Sequence, residues 1–129
     1  MIVDTSAIVA ILRDEPERER LERALADADA CAMSAPTRVE LAAVLVRSLS
    51  PTSLRRADRF LDALGLEIAA FDAAQAALAA DAYRDFGRGS GHPAQLNLGD
   101  TYSYALAIAR DEQLLFVGDD FGHTDVRIA

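Results

Sequence analysis

MIVDTSAIVAIL, residues Met1–Leu12, governs the reading of the whole chain. Met1–Asp4 is a short apolar run that ends in an acid, and Ser6–Arg13 reads as a short helix. Working outward, the later segments keep the same alternation of short apolar runs with longer amphipathic ones. That alternation predicts an α/β fold built on a largely parallel sheet. Pro16 suits the first turn of a second helix reaching about Asp27. Asp14–Arg18 and Glu19–Arg23 support its exposed face at the i,i+4 spacing. Cys31–Ala35 reads as a strand, and Thr37 with Glu40 forms a capping box for a third helix. Leu41, Val44, Leu45 and Leu49 are the apolar stripe of that helix. Thr52–Leu64 is the next, closed by Gly65. Leu66–Phe71 is a strand, and Asp72 caps an alanine-rich helix to about Phe86. GRGSGHPAQLNLG is loop, Asp100–Arg110 helix, Leu114–Val117 strand, and Val126–Ile128 a short edge strand.

The chain has 129 residues, enough for one domain over 1–129 and too few for two. Half its residues are hydrophobic (51%), so a core needs neither disulfides nor a structural metal. The single cysteine, Cys31, has no partner for an internal bridge, which suits a reducing compartment. No apolar run is long enough to span a membrane, and the expectation is a soluble, cytoplasmic protein. Thirteen basic residues, all arginine, face twenty-one acids, for a net charge of −8. A non-specific nucleic-acid binder normally carries the opposite balance. The excess instead points to a carboxylate-rich metal site, a basic protein partner, or solubility.

The acids fall where an α/β sheet gathers ligands, outside the carboxyl ends of its strands. Asp4 ends the first strand, and Asp119-Asp120 follow the strand at Leu114–Val117. Glu40 lies in the first turn of a helix that follows a strand, and Asp100 opens a helix after a glycine-rich loop. Crowded carboxylates repel and raise one another's pKa, and a hard divalent cation removes that repulsion. All-oxygen ligation suits Mg2+, with Mn2+ able to substitute. The chemistry so favoured is phosphodiester hydrolysis by metal-activated water. Each acid also has a structural reading. Asp4 and Asp100 suit helix N-termini, Glu40 completes the capping box, and Asp119-Asp120 suit a turn. Four acids arriving at one rim favour metal binding over four separate coincidences.

Four segments carry a resemblance to the PIN-domain nucleases, and within them to the VapC-type toxins: VDTSA (Val3–Ala7), TRVEL (Thr37–Leu41), GSGHPAQLNLGDTYSYALA (Gly89–Ala107) and LLFVGDDFGHTDV (Leu114–Val126). In order and at this spacing they cover nearly the whole chain. The resemblance implies a three-layer sandwich, with a four- or five-stranded largely parallel sheet flanked by helices, usually as a homodimer. It implies endoribonucleolytic cleavage of structured RNA such as tRNA or rRNA, and a cognate VapB-type antitoxin that often inserts an arginine into the acidic pocket. It assigns metal binding to Asp4, Asp100, Glu40 and Asp120, with Asp119 also in reach of the rim. Where many relatives carry Thr or Ser two residues before the last acid, this chain has Val117 and Gly118.

Around these acids, Thr5 or Ser6 is placed to orient Asp4 by a hydrogen bond, or to cap the following helix. Arg84 and Arg88 flank the glycine-rich loop and are the candidates for RNA backbone contacts, with Asp81 and Asp85 competing for them. His92 reads as a solvated loop residue, His123 as a turn residue, and Cys31 as a small core residue. Of Tyr102 and Tyr104, which fall on different helix faces, one belongs to the core. Four glycines and a proline between Gly87 and Gly99 predict a segment that moves when RNA or antitoxin binds. Two other readings compete. One is a PIN-like nuclease acting on DNA, the other a catalytically silent binding module. An aspartyl-phosphate phosphatase wants a second aspartate at position 6, where this chain has Ser6.

Overall fold

The computed structural model describes residues 1–129. Four short strands are all parallel: β1 (Ile2–Val3), β2 (Ala32–Ser34), β3 (Glu67–Ala69) and β4 (Leu114–Leu115), in the order β3-β2-β1-β4. Ile2 pairs with Ala32 on one side and Leu114 on the other. The edge strand expected at Val126–Ile128 is a single parallel bridge from Ile128 to Leu114. The chain therefore leaves β1 first towards β2 and β3, and later returns to β1's other side as β4. That reversal opens a crevice at the carboxyl ends of β1 and β4.

Six helices cover the two faces: α1 (Thr5–Leu12), α2 (Arg18–Asp27), α3 (Ala35–Ser48), α4 (Pro51–Leu64), α5 (Ala73–Phe86) and α6 (Leu98–Arg110). Alternation along β1 divides the core in two, because successive strand side chains point to opposite faces. Val3, Met33 and Leu115 pack with Ala7, Ile8, Leu21, Leu41 and Leu61 from α1–α4. Ile2, Ala32 and Leu114 pack with Ala82, Tyr104, Leu106 and Ala107 from α5 and α6. Three layers result, as the resemblance implies.

Several local expectations shift for identifiable reasons. Helix α2 begins at Arg18 rather than Pro16, because Asp14 adopts a left-handed φ of 60° and the chain turns before the helix starts. Arg18 bridges Asp14 and Glu22 from there, instead of the Glu19–Arg23 pair. Helix α3 begins at Ala35, with Ser34 at its N-cap and Pro36 in the first turn, which proline tolerates because its missing N–H is one the first turn leaves unpaired. Thr37 is therefore a helical, fully buried residue, and the capping box expected with Glu40 does not form. Asp72 caps α5 as expected, accepting from Gln75 N. Gly65 ends α4 in the left-handed conformation, φ 61°.

The glycine-rich segment between α5 and α6 is tied down at both ends. Gly87 bridges to Leu96, Arg88 N–H donates to Leu96 O, and Leu96 N–H donates to Phe86 O. Ala94 and Leu96 are fully buried, and the His92 ring meets Phe86 edge-on at 5.0 Å. The exposed, left-handed glycines Gly89 and Gly91 occupy the tip between those anchors.

Candidate metal centre

Asp4 leaves the end of β1 as the N-cap of α1 and is almost fully buried. Its Oδ2 accepts from Ser6 N–H at 2.9 Å and Ser6 Oγ at 2.7 Å. Its Oδ1 accepts from Ser103 Oγ at 2.7 Å. The structural reading of Asp4 as a cap is thus real, and it coexists with a carboxylate held rigidly at the crevice. Ser6 Oγ also accepts from Val117 N–H at 3.1 Å, tying the start of α1 to the end of β4. Thr5 does not turn to Asp4. Its hydroxyl donates to Glu40 Oε2 at 3.3 Å, across from α3.

Asp100 is the third residue of α6, since Leu98 and Gly99 are already helical and Asn97 is the N-cap. The two form a reciprocal capping box. Asn97 N–H donates to Asp100 Oδ2 at 2.7 Å, and Asp100 N–H donates to Asn97 Oδ1 at 3.1 Å. Asn97 was legible as an N-cap with an acid three residues on, although the run around it reads as loop. Gly99 has a tighter role. A Cβ there would stand 2.4 Å from Glu40 Oε1 and 2.7 Å from Oε2, so any side chain at this position would push the Glu40 carboxylate out of its present place.

The electrostatics set Asp100 apart. Burial pushes its carboxyl up to about 7, against the hydrogen bond from Asn97, and the charges of Asp4, Asp120 and Glu40 add to the rise. Glu40 is raised as well, by burial first and then by Asp4, with the Thr5 hydroxyl opposing. No arginine figures among the charges acting on either acid. Asp120 opens a short 3-10 turn (Asp120–His123) and is exposed, anchored by Phe121 packing on Phe116 at 5.0 Å. Gly118, at φ 107°, makes the turn that brings it there. Asp119 goes elsewhere. It lines a separate hollow with Glu17, Arg20 and Phe116.

These residues suit a hard divalent cation in donor chemistry: carboxylate oxygens from four elements, crowded together and partly desolvated. As they stand, no three acids converge on one point. Asp4 is turned to Ser6 and Ser103, Asp100 to Asn97, and Glu40 to Thr5. What these residues offer a hard divalent cation is all-oxygen donor chemistry, not a converged set of ligands.

The arginines divide. Arg84 is exposed but held by Asp81 at 2.7 Å and Asp85 at 2.9 Å, so its charge is largely spent within α5. The Arg88 side chain donates only to the Gln95 carbonyl, at 3.3 Å. Tyr104 is the core tyrosine, its hydroxyl donating to Asp125 at 2.7 Å, while Tyr102 stacks edge-on against Phe71. No helix is long and apolar enough to cross a membrane.

The family model for the PIN domain matches residues 1–127. The chain belongs to the PIN-domain family. Within it the chain is 58% identical to Ribonuclease VapC42 of Mycobacterium tuberculosis over all 129 residues, covering 98% of that protein. It is therefore a VapC-type ribonuclease. The fold agrees with solved structures. The M. tuberculosis toxin VapC20, described as cleaving the sarcin–ricin loop, superposes with a TM-score of 0.75 at 16% identity, covering 99% of this chain and 97% of that one. A toxin–antitoxin complex from Klebsiella pneumoniae matches with a TM-score of 0.72 at 17% identity, covering 99% and 95%. PIN-domain VapC nucleases are metal-dependent, and the acidic crevice is where this chain has the donors for a metal.

Proposed function

We propose that this VapC-type chain is a magnesium-dependent endoribonuclease that cuts structured RNA, of the tRNA or rRNA class, and so inhibits translation. The observation that carries this is Asp100. It is a half-buried carboxyl raised to about 7 by desolvation and by three other acids, with no arginine among the charges that act on it. A protein that keeps such a site uncompensated is one poised to bind positive charge.

Asp4 and Asp100 are the direct ligands in this reading. Glu40 holds a second ion or its waters, and Asp120 closes the rim. Bound magnesium supplies a water of lowered pKa and positive charge against the phosphodiester oxygens. Asp4 is held in place, because both its oxygens accept hydrogen bonds, from Ser6 and Ser103. Asp100, held by the Asn97 N–H through Oδ2, keeps Oδ1 for the ion. Glu40 keeps Oε1 clear of the Thr5 hydroxyl, and its raised carboxyl suits it to take a proton from the attacking water there.

The partners follow the same electrostatics. A basic, VapB-type antitoxin segment is attracted to a crevice of this charge, and a homodimer is the assembly we expect. The test is cleavage of total RNA by purified protein with magnesium, with EDTA, and in Asp4→Asn and Asp100→Asn. Magnesium-dependent cutting that both substitutions abolish is the expected result. If folded wild type cuts no RNA in magnesium or manganese, the reading fails. Cutting of DNA alone would favour the PIN-like DNA nuclease, and no cutting at all a silent binding module.

A further inference from the structure

We propose that Ser103 is a positioning residue for the reaction: its buried hydroxyl, itself oriented by Thr37, fixes the Asp4 carboxylate in the rotamer that presents it to the metal. The proposal rests on the reading of Asp4 as a metal ligand.

Ser103 lies one turn after Asp100 on α6, so the two share a helix face, Asp100 at the rim and Ser103 beneath it. The side chain is fully buried, and its Oγ stands 2.7 Å from Asp4 Oδ1 and 3.3 Å from Thr37 Oγ1. A hydroxyl has one proton, and an ionised carboxylate only accepts. Ser103 therefore donates to Asp4, and the contact with Thr37 must run the other way, Thr37 donating to Ser103. The result is a directed chain, Thr37 to Ser103 to Asp4, entirely in the interior.

That chain joins the three elements that carry the principal acids. Thr37 is on α3 with Glu40, Ser103 on α6 with Asp100, and Asp4 at the end of β1. Two neighbours show that burial alone does not give this role. Thr101, equally buried on α6, gives its hydroxyl to Leu98 O at 2.7 Å within its own helix. Ser34 comes beside Asp4 when the Ile2–Ala32 register is continued two residues along both strands, yet its buried hydroxyl has no partner. Ser103 is the side chain that crosses from a neighbouring element to Asp4. With Ser6 holding Oδ2 and Ser103 holding Oδ1, the carboxylate cannot rotate without breaking a charge-assisted hydrogen bond.

The experiment is Mn2+ titration by calorimetry of the metal-stripped chain, in wild type, Ser103→Ala, Thr37→Val, Thr37→Ser, Ser103→Ala/Thr37→Val and Asp4→Asn. Thermal unfolding in EDTA follows each variant's fold. Loss of an outer partner of a metal ligand typically weakens binding by ~10–100-fold, and we expect about 10-fold for Ser103→Ala. Thr37→Val should lose a smaller factor, Thr37→Ser should keep wild-type affinity, and the double variant should be no weaker than Ser103→Ala, because residues in one network do not add. Wild-type affinity in Ser103→Ala, with or without a lower melting temperature, would overturn the proposal while Asp4→Asn still reports on the ligand. Undetectable Mn2+ binding by wild type would overturn the ligand reading, and the positioning role with it.

Discussion

Asp100→Asn should make the metal-free protein more stable at pH 8, although it removes a residue of the proposed active site. An aspartate unperturbed near 3.8 is held up to about 7 here, a rise of roughly 3 units. At ~1.4 kcal/mol per unit this is a ceiling of about 4 kcal/mol of strain from the ionised form. Asp100 is only half-buried, so solvent screening brings a working figure down to about 2 kcal/mol. Asparagine keeps an oxygen for the Asn97 N–H, so the capping box loses charge but not its acceptor. The sign follows from proton counts. Between about pH 4 and 7 the native state holds a proton that the unfolded chain has released, so wild-type stability falls as pH rises through that window. Below it, Asp100 is protonated in both states and the variant gains nothing. Above it, the deficit is complete. For a chain of this length, a gain of about 2 kcal/mol corresponds to ~5–10 °C in melting temperature. Differential scanning calorimetry in EDTA at pH 8 and pH 4 measures it. Magnesium should then reverse the ranking at pH 8, since saturating ion a hundredfold above its Kd adds ~2.7 kcal/mol to wild type alone. An Asp100→Asn melting temperature no higher than wild type at pH 8, or one raised equally at pH 4, would refute the electrostatic account.

Further expectations follow from single contacts. Gly99→Ala should leave the melting temperature within a few degrees, since alanine favours the helix by ~1 kcal/mol. It should still depress RNA cleavage and Mn2+ affinity, because the new methyl displaces the Glu40 carboxylate. Tyr104→Phe removes a hydroxyl that donates to Asp125 at 2.7 Å. It should cost ~1 kcal/mol by denaturant titration, with cleavage unchanged. Leu96→Ala, at a fully buried anchor of the glycine-rich segment, should cost ~2–5 kcal/mol by the same titration. Hydrogen exchange should find the Arg88 and Leu96 amides protected and those of Gly89 and Gly91 fast, since only the first two are hydrogen-bonded across the loop. Uniform exchange over residues 87–96 would show that the anchoring pair does not persist in solution.

The sequence announced the crevice because carboxylates at strand ends sit beside sharp changes in hydrophobic pattern. Asp4 closes an apolar run, and Asp119-Asp120 follow another. Which of that pair turns inward was not legible, since both fall at the same strand end. In space the two part: Asp120 is near enough to act on Asp100, and Asp119 lines the Arg20 hollow. Arg84 and Arg88 looked alike as loop-flanking cations. The acids at positions 81 and 85 neutralise the first, one of them a turn away on the same helix.

Thr37 and Ser103 show where local pattern runs out. Thr37 with Glu40 has the spacing of a capping box, and the spacing is blind to whether the helix has already begun. It has, because Ser34 is the N-cap and Pro36 fits the first turn, and starting three residues earlier carries the hydroxyl from a capping position into the interior. Once there it needs a partner, since an unpaired buried hydroxyl costs ~1–3 kcal/mol. The partner is Ser103, 66 residues away, whose own proton goes to an acid 99 residues from it. A serine in a helix interior looks at sequence level like a small, neutral choice. Its meaning depends on three elements meeting, which no window along the chain contains. The acids were visible because charge stands out against an apolar run. The hydroxyls that orient them are hidden for the opposite reason, since a small buried polar group is distinguished only by what lies across from it.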